Sequence, residues 1–195
     1  MGTYDYNNIN FIKLLLKKLG QSGVFFDVGS NIGSYTLVAS EVATANVFAF
    51  EPGRTAFSAL KKNIELNNRS NVKLLNFAVS DQESVLMLTN GQEISTNKVV
   101  NQPKISHKIV HVKSKTLDQV CREYDVQPNI VKIDVEGHDL KVLKGFREFI
   151  KDTDVLFEGN HVYNNGSDGI NLRGERAANA PHRNVFKGNV IENNG

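Results

Sequence analysis

Hydrophobic positions along the first 158 residues follow two spacings, and each spacing predicts one kind of element. Short apolar runs between glycine, proline or asparagine residues are typical of buried strands, whereas apolar residues three and four apart predict helices. The predicted strands are residues 23–28, 46–50, 72–78, 129–135 and 154–158. The predicted helices are residues 8–19, 32–43, 57–66, 117–124 and 139–150. Alternation of the two predicts an α/β fold with a mostly parallel sheet.

The middle of the chain departs from this alternation. Residues 84–89 and 108–113 alternate apolar and polar positions, which predicts a half-exposed antiparallel pair. Residues 90–107 between them are polar and without periodicity, so we expect a long functional or mobile loop there. Thr116 and Gln119 have the spacing of a capping box, which predicts that a helix begins after Thr116.

The composition changes after residue 158. Residues 159–195 are rich in asparagine and glycine, and residues 159–166 return in similar form as residues 188–195. Asx–Gly turns between short apolar pairs resemble a fragment of a right-handed parallel β-helix. A solenoid needs about three or more coils to bury a core, so we do not expect this tail to fold alone. The predicted organisation is one domain, 1–158, followed by a dependent tail, 159–195.

Composition and charge exclude several classes of function. The chain has 195 residues and a net charge of +2, which indicates neither a nucleic-acid nor a membrane partner. Its single cysteine, Cys121, allows no internal disulfide, and the N-terminus lacks a signal-peptide pattern. No histidine pair has zinc spacing, and no metal ligands are assigned. We expect a soluble, cytoplasmic protein.

The stretch from Asp27 to Gly33 carries the first chemical signal. A buried strand runs into a glycine turn that opens a helix, and such a unit presents backbone N–H groups to a ligand. A dinucleotide turn has a central glycine that makes room for a pyrophosphate, and here that position is Asn31. The turn from Gly29 to Gly33 therefore favours a smaller group, such as the amino-acid end of S-adenosylmethionine, and disfavours a nicotinamide dehydrogenase. Asp27 is available to its cationic groups.

Two further acidic positions follow predicted strands. Glu51 ends the second strand about twenty residues after Gly29, where an acid can accept hydrogen bonds from both ribose hydroxyls. Asp134, Glu136 and His138 lie two residues apart at the end of the fourth strand, so in an extended chain they share one face. These groups can deprotonate a hydroxyl or hold a divalent metal; alternatively, they form a solvated strand end. Lys132 faces a helix layer or pairs with one of the acids.

Six segments together resemble the FkbM-type methyltransferase family. They are Phe26-Asp-Val-Gly-Ser-Asn-Ile-Gly-Ser-Tyr-Thr36, Ala49-Phe-Glu-Pro52, Asn76-Phe-Ala-Val-Ser-Asp81, Thr116-Leu-Asp118 and Val131-Lys-Ile-Asp-Val-Glu-Gly137, the last with Val142-Leu-Lys-Gly145. The resemblance covers about residues 20–158. It implies a Rossmann-like class I methyltransferase with strand order 3-2-1-4-5. Such a fold usually has two more strands after the fifth, and here the tail stands in their place.

The resemblance also implies a set of roles. Asp27, Gly29, Asn31 and Gly33 would surround the methionine end of S-adenosylmethionine, and Glu51 would hold its ribose. Phe77 and Ala78 would flank the adenine. Asp134 and Glu136 would face the reacting centre, and we assign them as the candidate catalytic acids.

The function expected from the sequence is methyl transfer from S-adenosylmethionine to a hydroxyl of a sugar or natural product. One alternative is a catalytically silent module that binds the cofactor or a partner, because the acceptor side is incomplete. A weaker alternative is a carbohydrate-binding β-helix fragment. The expected partner is a small-molecule or glycan acceptor.

Overall fold

The computed structural model describes residues 6–20, 23–89, 99–100 and 108–150, and four short strands in the C-terminal region. The helices are α1 (Tyr6–Leu19), α2 (Ser34–Ser40), α3 (Arg54–Leu66), α4 (Leu117–Tyr124), α5 (Asp139–Lys144) and α6 (Arg147–Ile150). The strands are β1 (Val24–Val28), β2 (Asn46–Phe50), β3 (Val72–Leu75), β4 (Ala78–Val79), β5 (Ser84–Thr89), β6 (Ile109–Lys115), β7 (Ile130–Ile133), β8 (Leu156–Glu158), β9 (His161–Tyr163), β10 (Val185–Lys187) and β11 (Val190–Glu192). No helix in these described ranges is long and apolar enough to cross a membrane. The chain divides into two compact units, Met1–Phe146 and Arg147–Gly195.

A four-stranded parallel sheet in the order β3-β2-β1-β7 forms the centre of the first unit. It confirms the α/β class and the predicted order of the first four core strands. All five residues of β1 are buried, as expected for a strand between two others and covered on both faces. Val28 lies opposite Phe50 and Ile133, so three strands end together at one edge of the sheet. That edge is where an open α/β sheet binds ligands.

The two faces of the sheet bury different side chains because strand residues alternate between faces. One face packs against α1 and α2 through the cluster Ile12, Leu16, Phe25, Ala39, Val42, Ala45 and Val47. On the other face the Phe26 ring lies 5.1 Å from Phe48, and Phe48 lies 5.6 Å from Tyr124 of α4. Thr116 caps α4 with the predicted box, accepting the Gln119 N–H at 3.0 Å.

The predicted antiparallel pair is confirmed, within a second sheet of order β4-β6-β5. One expectation was wrong here: residues 72–78 do not form one strand. The chain leaves the first sheet after Leu75, and Ala78 pairs with Ser114 of β6. Asn76 Nδ2 donates to the carbonyl oxygens of Glu51 and Pro52, which blocks further pairing where β2 has ended. Most of the predicted loop, 90–107, lies outside the described residues.

Two predicted helices differ from the observed ones. The helix expected from residue 32 begins at Ser34, because Asn31 and Gly33 adopt left-handed backbone angles. The helix expected over 139–150 is divided between α5 and α6 at Gly145. A Cβ on Gly145 would lie 2.1 Å from the carbonyl oxygen of Ser80, so this position meets a neighbouring backbone and requires glycine.

In the second unit, β8 pairs in parallel with β10, and β9 pairs in parallel with β11. Of the strand expected at 154–158, residues 156–158 form β8. Its hydrogen-bonded neighbour in the described part of the chain is β10 and not β7, so the predicted order is observed for the first four strands only. The register places Phe157 opposite Phe186 and Glu158 opposite Lys187. The β-helix character of the tail and the boundary at residue 158 stay predictions.

Candidate active site at the carboxyl edge of the sheet

The glycine turn after β1 is held by the end of β2. The backbone N–H groups of Gly29 and Ser30 both donate to the carbonyl oxygen of Phe50 at 3.0 Å. Gly29 has φ 76°, and a Cβ there would lie 2.0 Å from the carbonyl oxygen of Asp134. Only glycine fits where the turn meets the chain leaving β7. The turn thus joins the ends of β1, β2 and β7.

Glu51 holds the same turn from its other side. Its Oε2 accepts the N–H of Asn31 at 2.9 Å, and its Oε1 accepts the N–H of Gly53 at 2.7 Å. The residue is 8% exposed. Burial raises the pKa of the Glu51 carboxyl, and the two backbone N–H groups oppose that rise. Each carboxylate oxygen accepts more than one hydrogen bond, so both retain capacity for a ligand.

Asp27 is fully buried beneath the turn. Its Oδ2 accepts the hydroxyl of Thr36 at 2.6 Å, and its Oδ1 lies 3.3 Å from Lys132 Nζ. The ammonium of Lys132 also donates to the carbonyl oxygen of Gly29 at 3.0 Å. Lys132 Nζ also lies 3.6 Å from Asp134 Oδ2, which confirms the sequence-based alternative that Lys132 pairs with one of the acids after the fourth strand. Thr36 could not be identified from the sequence as a partner of Asp27, because threonine is common inside helices.

The acids after β7 do not share a face with His138, so that expectation was wrong. The strand ends at Ile133, and Glu136 and Gly137 have φ 51° and 86°, so the chain is not extended there. Asp134 and Glu136 are exposed, whereas His138 is buried. Asp134 Oδ2 lies 3.6 Å from Lys132 Nζ, which places this carboxylate beside the glycine turn.

His138 instead contacts the segment after β4. Its Nε2 lies 2.9 Å from the Ser80 hydroxyl, and that hydroxyl is 3.0 Å from Asp81 Oδ1. Burial lowers the pKa of the His138 imidazole and Lys141 lowers it further, against the opposite effects of Asp81 and Asp139. The sequence could not indicate Ser80, because the two partners are 58 residues apart. This bond fixes the far end of the loop that carries Asp134 and Glu136.

The positions expected beside an adenine lie next to the end of β2. Ala78 is buried and Phe77 is half-buried. The Phe77 ring meets Phe50 edge-on at 5.9 Å, and Lys115 Nζ lies 5.5 Å from the Phe77 ring centroid. Phe77 therefore offers an aromatic surface near Glu51. Within the described part of the chain, no group of three or more histidine, cysteine, aspartate or glutamate residues is arranged to hold a metal ion.

Comparison with known proteins identifies the family that this chain matches. Residues 27–173 match the family model described as methyltransferase FkbM domain. The chain is 32% identical over 164 residues to a hexuronic acid methyltransferase, AglP of Haloferax volcanii, covering 77% of this chain and 61% of that protein. It is 30% identical over 155 residues to methyltransferase sdnD of Sordaria araneosa, covering 63% and 60%. The chain thus spans about three fifths of the length of these relatives.

A solved structure is similar over a smaller part of the chain. This is TYW2 of M. jannaschii in complex with AdoMet, with 22% identity and a TM-score of 0.35, covering 39% of this chain and 34% of that one. That likeness is too distant to carry an argument about this site.

Proposed function

This chain belongs to the methyltransferase FkbM domain family, and from that premise we propose that it binds S-adenosylmethionine and transfers the methyl group to a hydroxyl of a sugar or natural product. The family is one of S-adenosylmethionine-dependent methyltransferases, and the residues at the carboxyl edge of the sheet fit that cofactor. The hydroxyl acceptor is the finer part of the proposal.

The observation that carries the proposal is the Glu51 carboxylate held between two backbone N–H groups. These bonds to Asn31 and Gly53 fix the plane of the carboxylate at the end of β2. The remaining acceptor positions of its two oxygens suit two neighbouring hydroxyls, which is the arrangement of a ribose. Burying a carboxylate to 8% exposure is unfavourable, and a ligand that donates further hydrogen bonds to it offsets that cost.

The glycine turn fits an amino-acid end for a separate reason. Ser30 Oγ and Asn31 Oδ1 are buried and have no hydrogen-bond partner among the described residues, and Asp27 Oδ1 has only the ion pair with Lys132. Buried polar atoms are ordinarily satisfied, so unsatisfied ones mark a place for a ligand or a water molecule. An ammonium group donates to such acceptors, and the Ser30 hydroxyl can donate to a carboxylate. We assign Gly29 and Gly33 to the backbone that approaches this end.

Phe77 and Ala78 are assigned to the adenine. Ala78 presents a small buried side chain, and Phe77 presents an aromatic ring fixed by Phe50. An aromatic ring and a small apolar residue suit a planar base. Their position beside Glu51 agrees with a ribose that links the base to the glycine turn.

When bound, S-adenosylmethionine would supply an electrophilic methyl group on its sulfonium, with a neutral thioether as the leaving group. The chain orients the acceptor and receives the hydroxyl proton. We assign that proton to Asp134 or Glu136. Both are exposed at the edge, and Asp134 lies beside the turn through Lys132.

A radiolabel assay tests the proposal. The chain is incubated with S-[methyl-³H]adenosylmethionine and a panel of free sugars, hexuronic acids and hydroxylated natural products. We expect acceptor-dependent label that is lost in the Asp134→Asn, Glu136→Gln double variant. Cofactor binding without label on any acceptor would favour the alternative of a catalytically silent binding module.

A further inference from the structure

We infer that Lys132 balances the charge of the cofactor site and thereby sets its preference between the cationic methyl donor and the neutral product. The inference rests on the proposed function, and its starting point is a set of contacts. Lys132 Nζ lies 3.3 Å from Asp27 Oδ1, 3.6 Å from Asp134 Oδ2 and 3.0 Å from the carbonyl oxygen of Gly29. One ammonium thus joins β1, the glycine turn and the loop after β7.

Burial strengthens the electrostatic effect of the Lys132 ammonium. The Lys132 side chain is 16% exposed and Asp27 is 0% exposed, whereas Asp134 is 67% exposed. Asp27 Oδ1 receives no hydrogen bond among the described residues, so the charge of Lys132 is what compensates it. A buried carboxylate without such compensation is strongly unfavourable. Lys132 also lies 5.1 Å from the centroid of the Tyr35 ring, which limits where its ammonium can move.

The same charges act on the ligand. Methyl transfer converts a sulfonium cation into a neutral thioether, so donor and product differ by one positive charge. Two carboxylates beside the turn attract the sulfonium, and the ammonium of Lys132 offsets that attraction. Attraction that acts only on the bound donor slows methyl transfer, because it stabilises the ground state more than the transition state. Lys132 therefore keeps the donor from being held too tightly by Asp27 and Asp134.

The test compares dissociation constants for S-adenosylmethionine and S-adenosylhomocysteine by calorimetry. In Lys132→Met, we expect the preference for the donor over the product to rise about fivefold or more, since one positive charge is lost near the sulfonium. Lys132→Arg should keep the ratio within about twofold of the unmodified chain, because the charge is retained. Lys61→Met is the matched control: Lys61 is an exposed lysine on α3, paired with Glu65.

If Lys132→Met does not fold, the Asp27→Asn, Lys132→Met double variant replaces it. This variant removes both charges of the buried pair, and the amide oxygen of the substituted side chain can still accept the Thr36 hydroxyl. We expect its ratio to stay near that of the unmodified chain. The inference would be overturned if the ratio of the two dissociation constants were unchanged in Lys132→Met. It would also be overturned if that ratio shifted about fivefold in the double variant. No binding of either ligand by the unmodified chain would instead refute the proposed function.

Discussion

The Oε2 atom of Glu51 accepts the backbone N–H of Asn31, 20 residues earlier in the chain, at 2.9 Å. This bond links the two features that the sequence had placed separately, the glycine turn and the acid after the second strand. Asn31 has a left-handed backbone with φ 50°, and its N–H points toward the residue that follows β2 and takes no part in α2. Asn31, which stands where a dinucleotide-binding turn has its central glycine, therefore also holds the Glu51 carboxylate in place.

The first prediction concerns that acid. Glu51→Gln should weaken binding of S-adenosylhomocysteine about tenfold to a hundredfold, because an amide loses acceptor positions and turns N–H groups toward the Asn31 or Gly53 N–H. Titration calorimetry measures the change. Glu65→Gln, at an exposed glutamate on α3, is the control and should bind as the unmodified chain does. Equal affinity of Glu51→Gln and the unmodified chain would remove Glu51 from the site.

The second prediction is that stability and cofactor binding respond to falling pH in opposite directions. Because burial raises the pKa of Glu51, the folded chain takes up its proton before the unfolded chain as the pH falls. Between the raised and the ordinary glutamate pKa, the free energy of unfolding should therefore rise with falling pH relative to Glu51→Gln. Cofactor binding should weaken over the same interval, because protonation removes acceptor positions. Parallel pH profiles of the two proteins would contradict this.

The third prediction separates crowding from backbone strain at the glycine turn. Gly29→Ala places a Cβ 2.0 Å from the Asp134 carbonyl oxygen, and it should cost about 3 kcal/mol or more of unfolding free energy. Gly20→Ala has a similar φ of 72° but nothing within 4 Å of the added Cβ, so it should cost only about 1 kcal/mol. Urea denaturation measures both. Equal costs would mean that the turn can move away from β7.

The fourth prediction concerns the buried His138. Because its pKa is lowered in the folded chain, the unfolded chain takes up the proton first as the pH falls. Stability should decline from the ordinary histidine pKa down to the lowered one. His138→Gln keeps a donor toward Ser80 but cannot titrate, so its stability should fall less over that interval. His111→Gln, at an exposed histidine of β6, is the control and should follow the unmodified chain.

Local patterns predicted the parts of the fold that depend on neighbouring residues. The buried run of β1, the capping box at Thr116 and the antiparallel pairing of β5 with β6 all follow from residues close in sequence. The transfer of Ala78 to a second sheet and the break at Gly145 depend on contacts with β6 and Ser80 that no local pattern encodes. Likewise, the prediction that His138 shares a face with Asp134 assumed an extended chain, and the left-handed Glu136 ends that extension.

The most direct test of the account is calorimetric titration of the folded chain with S-adenosylhomocysteine. We predict saturable binding of one ligand per chain, weakened in Glu51→Gln and unchanged in Glu65→Gln. Absence of heat up to about 1 mM ligand, with the chain shown to be folded by circular dichroism, would contradict the claim that the turn from Asp27 to Gly33 and Glu51 form a cofactor site.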